Sequence, residues 1–455
     1  MFMLTNYTLA AALLLGAVIG GYALARLPLI RRLFIPTSLA AGLLILVFGP
    51  QVAGEYFPQW QIPSEMYELW GVLPTYMINL VFAGLFLGKP LLSLKKMWKL
   101  AGPQVAFGQT MAWGQYVVAG LLTLLVLMPV FGMPAITAAL LEVSFTGGHG
   151  TVAGMAPVFN ELGFESGRQL ATGLATASLV TALITGIIII NWGRLRGYIP
   201  ERNPVRIARN KVYYHTIVAS IRKKGISFRK TVTLETLTSH VILLLAGVGL
   251  GWLMYQGVLL VEGLTWGRDG AKFFAYVPLF TFAMFGGMLA QIIWLKLGFK
   301  IVREVVDLIS TLTLTLLIMA AVGTMNLEFL VSDGAVFGLL YVAGTLWSLL
   351  VFFTLGRRMF REYWFHNAII SYGQGMGMTA TGLLFAQMVD PKSRTNTVEA
   401  FGYKQLLFEP LMGGGVMTAL SMPLIIMLGL PMVVAVCLCI TAFWMFLGLA
   451  LYYRR

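Results

Sequence analysis

The densest group of residues able to do chemistry sits inside one apolar stretch, Ala135–Val158. Its centre reads Glu142-Val-Ser-Phe-Thr-Gly-Gly-His-Gly-Thr-Val-Ala-Gly-Met155. Gly147, Gly148, Gly150 and Gly154 oppose a continuous helix. Backbone that leaves the helix at membrane depth is tolerated only where protein or a watery cavity covers it. Its free carbonyls can ligate a cation, and N–H groups at a helix start can hold a carboxylate. Thr146 and Thr151 add hydroxyls. Thr146, Gly147, Gly148, His149, Gly150 and Thr151 are therefore candidate substrate- or ion-binding residues. Close helix packing through small residues competes with this reading. Four glycines in eight residues, with a histidine among them, are denser than packing needs. For His149 two roles stand: an anchor that fixes the turn, or a group that carries a proton or touches substrate.

A second interrupted stretch, Asn367–Met388, holds Ser371-Tyr-Gly-Gln-Gly-Met-Gly-Met-Thr-Ala-Thr-Gly382. Gly373, Gly375, Gly377, Thr379 and Thr381 are candidates of the same kind. No Lys-Ser/Thr follows and no strand precedes, which excludes a phosphate loop. Ser310, Thr311 and Thr315 fall near one helical face after Asp307, and a polar face in lipid should point inward. Asn79 is a lone intramembrane amide, either a site residue or an interhelical bond. Glu409 is a coupling-ion candidate or a solvated residue at a helix start. No span carries an obvious arginine for an anion. The helix starts at the two glycine-rich tips are therefore expected to hold substrate carboxylates. Enzymatic activity is not expected, because paired catalytic carboxylates and a nucleophile–His–acid pattern are missing. No resident cofactor or metal is expected: the four histidines are scattered, and Cys437 and Cys439 diverge on one helix.

These stretches need a membrane to position them. Hydrophobic residues make up 58% of the 455-residue chain and charged ones 11%, against about 25% charged in soluble domains. Eleven apolar spans are read: Leu4–Ala25, Pro36–Pro50, Tyr67–Gly88, Gln104–Met128, Leu170–Trp192, Thr236–Tyr255, Phe273–Leu295, Val305–Asn326, Ala335–Gly356, Gln405–Leu428 and Pro431–Tyr452. All but Arg168, Arg268 and Lys272 of the 32 Lys and Arg then fall on one side, with Lys404 assigned to a loop there. That bias puts the N-terminus outside and the C-terminus in the cytoplasm. It holds only if both interrupted stretches enter and leave on one side. The net charge of +14 is thereby explained by topology, and nucleic acid is not an expected partner.

The order of elements repeats about a basic cytoplasmic linker, 194–233, in which Arg206–Lys224 reads as a solvated connector or a helix lying on anionic lipid. Residues 1–193 and 234–428 each hold five spans and one interrupted segment, and an odd number of crossings inverts the second half. Residues 429–455 are an extra C-terminal span. The expected fold is thus an all-α membrane protein of two inverted-topology repeats, each with five transmembrane helices and a re-entrant Gly-rich loop (135–158 and 367–388), plus that extra helix. Paired broken segments in inverted halves are the sequence mark of a transporter site. A passive channel is the less favoured class.

The string Thr146-Gly-Gly-His-Gly-Thr151, the basic midpoint linker and the second glycine segment before Met388 resemble the bacterial sodium/glutamate symporter family, over about residues 1–428. The resemblance implies Na+-coupled uptake of glutamate or a related anionic amino acid across the bacterial inner membrane. It further implies a homodimer and elevator-type alternating access. Met378-Thr-Ala-Thr-Gly382 lacks the proline usual in that family's second motif, and the last span is additional. A proton- or sodium-coupled carrier of another organic acid or amino acid is the alternative.

Overall fold

The computed structural model describes residues 2–28, 36–57, 62–89, 94–199, 233–266, 268, 274, 277–328, 332–390 and 395–453. Linker residues 200–232 lie outside these, and with them the helix considered at Arg206–Lys224. Among the described residues there is helix and turn but no strand. Seven helices among the described residues are long and apolar enough to cross a membrane: Lys95–Phe131, Glu165–Leu195, Leu234–Leu264, Leu279–Lys296, Arg303–Gly323, Gly334–Met359 and Leu430–Leu451. Apolar side chains such as Ile242, Leu253, Leu346, Phe443 and Phe446 stand exposed on their outer faces. Helices with apolar outer faces suit a lipid solvent, where backbone polar groups must be satisfied within the segment.

We label the helices α1 Phe2–Leu24, α2 Thr37–Val47, α3 Ser64–Gly84, α4 Leu94–Leu122, α5 Gly148–Gly154, α6 Ala156–Glu161, α7 Glu165–Leu195, α8 Leu234–Leu264, α9 Leu279–Lys296, α10 Arg303–Gly323, α11 Gly334–Met359, α12 Trp364–Val389, α13 Thr397–Phe408, α14 Val416–Leu428 and α15 Leu430–Tyr453. Helix α4 continues through a π turn, Thr123–Leu127, to Phe131.

Pro36–Pro50, read as beginning nearer Leu33, holds the eleven-residue α2, about 17 Å long, and residues 29–35 before it lie outside the described residues. One expected span is corrected. Gln405–Leu428 is not one helix: it breaks between α13 and α14, where Gly413 and Gly414 take φ of 69° and 103°. Glycine alone enters that region without strain.

Packing divides the helices into two bodies. In the first, α8 lies on α9, α3 on both α9 and α10, α2 on α10, and α1 on α2. Glycines set its close approaches: a Cβ on Gly287 would sit 2.1 Å from the Ala83 carbonyl of α3. Arg303 donates to the carbonyl oxygens of Gly84 (3.0 Å) and Leu87 (2.5 Å), closing the C-terminal end of α3, and pairs with Asp307 at 2.6 Å. The largest apolar core belongs to the second body, built from α4, the segment 135–161, α7 and α11 to α15. On exchange of α1, α2, α3 with α8, α9, α10 the α1–α2, α2–α10 and α1–α3 contacts correspond to α8–α9, α9–α3 and α8–α10, while the α3–α8 contact has no counterpart of its size.

Candidate functional site

The second glycine segment lies inside α12, and α12 doubles back on itself. A Cβ on Gly382 would lie 2.7 Å from Ile370 O, and one on Gly373 would lie 3.1 Å from Gly382 Cα. A straight helix holds residues nine and twelve apart at about 14 and 18 Å. Both legs run beside α7. Tyr372 Oη is 2.6 Å from Thr185 Oγ1, while Phe385 fills the space at Gly186. Farther along α7, Phe365 packs at Gly193 and Met388 O accepts from Arg194 at 3.3 Å. The fold-back reaches Leu179, which lies 3.0 Å from a Cβ on Gly377. We call this unit hairpin 2. Its base is at Trp364 and Val389, and its tip is near Gly377.

Segment 135–161 forms hairpin 1. It starts as a 3-10 turn, Ala135–Ala139, passes a π turn, Glu142–Thr146, and bends at Gly148, where φ is 73°. It then ascends through α5 and α6 to a turn at Gly163. The contacts of α4 and α7 fix its direction. Gln104 of α4 donates to Asn367 near the base of hairpin 2, and Gln115 donates to Gly375 O near its tip at 2.8 Å. The rest of α4 extends past that tip. Helix α7 runs the opposite way, from Glu165 past Leu179 at the tip to Arg194 at the base. Hairpin 1 connects the far ends of both helices, away from the base of hairpin 2.

The tips meet through one side chain. Gln115 accepts from Thr146 Oγ1 at 2.7 Å while donating to Gly375 O. The break between α13 and α14 closes against them, with Thr151 Oγ1 3.0 Å from Gly147 O and 3.3 Å from Gly413 O. Two buried carboxyl groups flank the junction. Glu142 Oε1 accepts from Gly413 N (2.9 Å) and Thr418 Oγ1 (3.0 Å), and Oε2 from Tyr116 Oη (2.7 Å). Glu409 Oε1 accepts from Thr379 Oγ1 and Gln405 Nε2, both at 2.8 Å. Its Oε2 is buried without a hydrogen-bond partner. Gln374 donates to Gln405 Oε1 at 2.9 Å and accepts from Lys404 Nζ.

Of the expected residues, Thr146, Gly147, Gly148, Thr151, Gly375, Gly377 and Thr379 come together here. His149 is buried and lies 2.8 Å from Thr176 Oγ1 of α7, an anchoring contact. Gly150 faces Ile78 of α3, Gly373 lets the legs of hairpin 2 approach, and Thr381 donates to Gly377 O. The polar face of α10 stays apart. Ser310 lies against Gly84, Thr311 is exposed, and Thr315 donates to Thr311 O at 2.8 Å. Asn79 donates to Thr75 O and Tyr76 O of its own helix. Glu142, Gln115, Gln374, Lys404 and Gln405 were not singled out from sequence. Glu142 stood within the quoted motif, and Lys404 was counted as a loop residue, a placement its 1% exposure corrects.

No family model and no curated protein sequence matches the chain.

Proposed function

We propose that the chain is a secondary active transporter, a Na+-coupled symporter of glutamate or a related anionic amino acid. One observation carries this reading: hairpin 2, based at the Arg194 end of α7, and hairpin 1, connected to its Glu165 end, meet through Gln115. Set in a bilayer with the orientation of the charge bias, hairpin 1 is re-entrant from outside and hairpin 2 from the cytoplasm. The exchange pattern of α1–α3 with α8–α10 supports inverted repeats, with α15 added at the C-terminus. The division into two bodies supports an elevator mechanism. The contact between them near the tips is mostly apolar, with Phe280 and Phe82 of the first body seated at Gly154 and Gly414 of the second and one long hydrogen bond crossing, Thr75 Oγ1 to Ala153 O at 3.5 Å, and such a surface can slide with few hydrogen bonds broken. A homodimer in the bacterial inner membrane, N-terminus outside, completes the reading.

The substrate's carboxylate is held at a tip by backbone N–H groups freed at the helix starts. A proton- or sodium-coupled carrier of another organic acid or amino acid is the second reading. The buried carboxyl groups Glu142 and Glu409 favour it, since intramembrane ionisable groups mark ion pathways. Uptake into proteoliposomes decides between them. We expect an inward Na+ gradient alone to concentrate glutamate. Gly148→Leu and Gly375→Leu should abolish uptake and leave membrane insertion intact; for the latter a Cβ already falls 2.1 Å from Met111 Sδ. Normal uptake by both variants removes the tip site from the mechanism. Accumulation driven only by a pH gradient selects the second reading.

A further inference from the structure

We propose that Lys404 is a proton-carrying site in the core of the second body, so that the carrier's ion cycle includes a proton held on its amine. The inference rests on the carrier reading and adds a proton to it. Lys404 is buried on α13, and its Nζ donates to Gln374 Oε1. The amine stands over the rings of Phe408 (4.6 Å to the centroid) and Phe401 (5.2 Å). No carboxylate lies within ion-pair reach of it among the described residues. A lysine is almost never fully buried without a partner, because an unpaired buried charge is costly. Ring faces recover only part of that cost.

The site is built rather than accidental. Helix α4 makes room for the amine with Gly108, where a Cβ would lie 2.5 Å from Lys404 Cε and 2.8 Å from Nζ. The amide of Gln374 suits both protonation states, since its oxygen accepts from an ammonium and its NH2 donates to a neutral amine. From Gln374 the chain of bonds continues through Gln405 to Glu409. Glu409 Oε2, buried and unpartnered, is an independent sign that this network has an acceptor able to take a proton or cation. The charged group acting on Lys404 is Glu409, which in turn feels Lys89 and Arg303. Neither Gly108 from α4 nor Gln374 from α12 titrates.

Gln374 lies between Gly373 and Gly375, so the amine is moored to hairpin 2 close to its tip. Displacing the tip removes the ammonium's oxygen acceptor among the described residues and favours loss of its proton to water. Restoring the tip favours reprotonation. Hairpin movement and proton binding are thereby linked, and by reciprocity a change of pH biases the hairpin.

Reconstituted protein on a solid-supported membrane tests this without substrate or Na+. A step to acidic pH should give a transient charge displacement in the wild type. Lys404→Met, permanently neutral, and Lys404→Arg, permanently charged, should each lose it by about tenfold or more while still melting cooperatively. Gly108→Ala keeps the lysine but crowds its amine, and should shift the pH midpoint of the displacement even if the arginine does not fit. Equal displacement in the wild type and all three variants overturns the proposal. So does unchanged displacement in Lys404→Met with weakened binding of glutamate, which would make Lys404 a partner of the substrate carboxylate. If the wild type shows the displacement but accumulates no anionic amino acid, the carrier reading fails and the proton site stands.

Discussion

Hairpin 1 and hairpin 2 reach the same junction by different means. Hairpin 1 is locked: Gly148 holds a left-handed bend, His149 is tied to α7, and both oxygens of Glu142 are satisfied by three donors. Among the described residues hairpin 2 shows no positive φ between Trp364 and Val389. Its surroundings are the less satisfied of the two, with Ser371 Oγ, His366 Nδ1 and Glu409 Oε2 all buried and unpartnered, against Thr137 Oγ1 in hairpin 1. Buried polar networks that are fully paired make a region rigid, whereas partly paired ones leave alternatives of similar energy. The contrast assigns hairpin 1 to holding the architecture and hairpin 2 to responding to ligand and ion.

The contrast breaks most readily at the two carboxyl groups. Glu142→Ala strands three buried donors, each worth about 1–3 kcal/mol, so we expect the largest loss of melting temperature of any single substitution at the junction. Glu409→Ala strands Thr379 Oγ1 and part of the Gln405 amide, but also relieves an unpartnered oxygen. Its loss should be smaller by about 2 kcal/mol, with a larger effect on uptake. A reversed order of the two melting temperatures would end the assignment.

The tip glycines sharpen the same contrast at lower energy. Gly148→Ala puts a Cβ into a left-handed backbone at a cost of about 1–2 kcal/mol. Gly377→Ala meets Thr381 Oγ1 at 2.9 Å, Leu179 Cδ1 at 3.0 Å and Thr381 Cβ at 3.3 Å, all side-chain atoms. It adds no left-handed strain and asks its neighbours to give by a few tenths of an ångström, so its cost should stay under about 1 kcal/mol. Chemical denaturation of the purified variants measures both. Thr379→Val removes one donor to Glu409 and should cost about 1 kcal/mol, with a further shift in the dependence of uptake on the coupling ion.

Much of the junction was legible because glycine and threonine strings leave a mark that survives without neighbours. A run such as Gly147-Gly-His-Gly150 cannot remain a plain helix, and α12 folds back where Gly373, Gly375 and Gly377 thin the chain. What stayed hidden depends on long-range packing. Lys404 follows a cluster of loop residues, so counting charges assigned it to water, although α4 opens a slot for it at Gly108. The break at Gly413-Gly-Gly415 was visible, but the apolar run around it made Gln405–Leu428 look continuous. Glu142 looked like the polar edge of a motif until Tyr116, Gly413 and Thr418, from three distant stretches, closed around it.

The polar face of α10 marks the other limit of sequence reading, and it yields the smallest expected effect. Helical spacing places Ser310, Thr311 and Thr315 near one face, yet spacing does not say what that face meets. A threonine in a helix can satisfy its hydroxyl on the carbonyl four residues back, and Thr315 does so on Thr311. Such a residue needs no polar partner from another element and can stand against lipid. Thr311 is exposed. Thr311→Val and Thr315→Val should therefore change melting temperature by an amount equivalent to no more than about 0.5 kcal/mol and leave uptake unchanged. Thr379→Val, the same chemical change at the junction, should disturb both. If the α10 variants abolish uptake while Thr379→Val is silent, the ion path runs along α10 rather than between the hairpins. The contrast between the two tips would then describe structure alone.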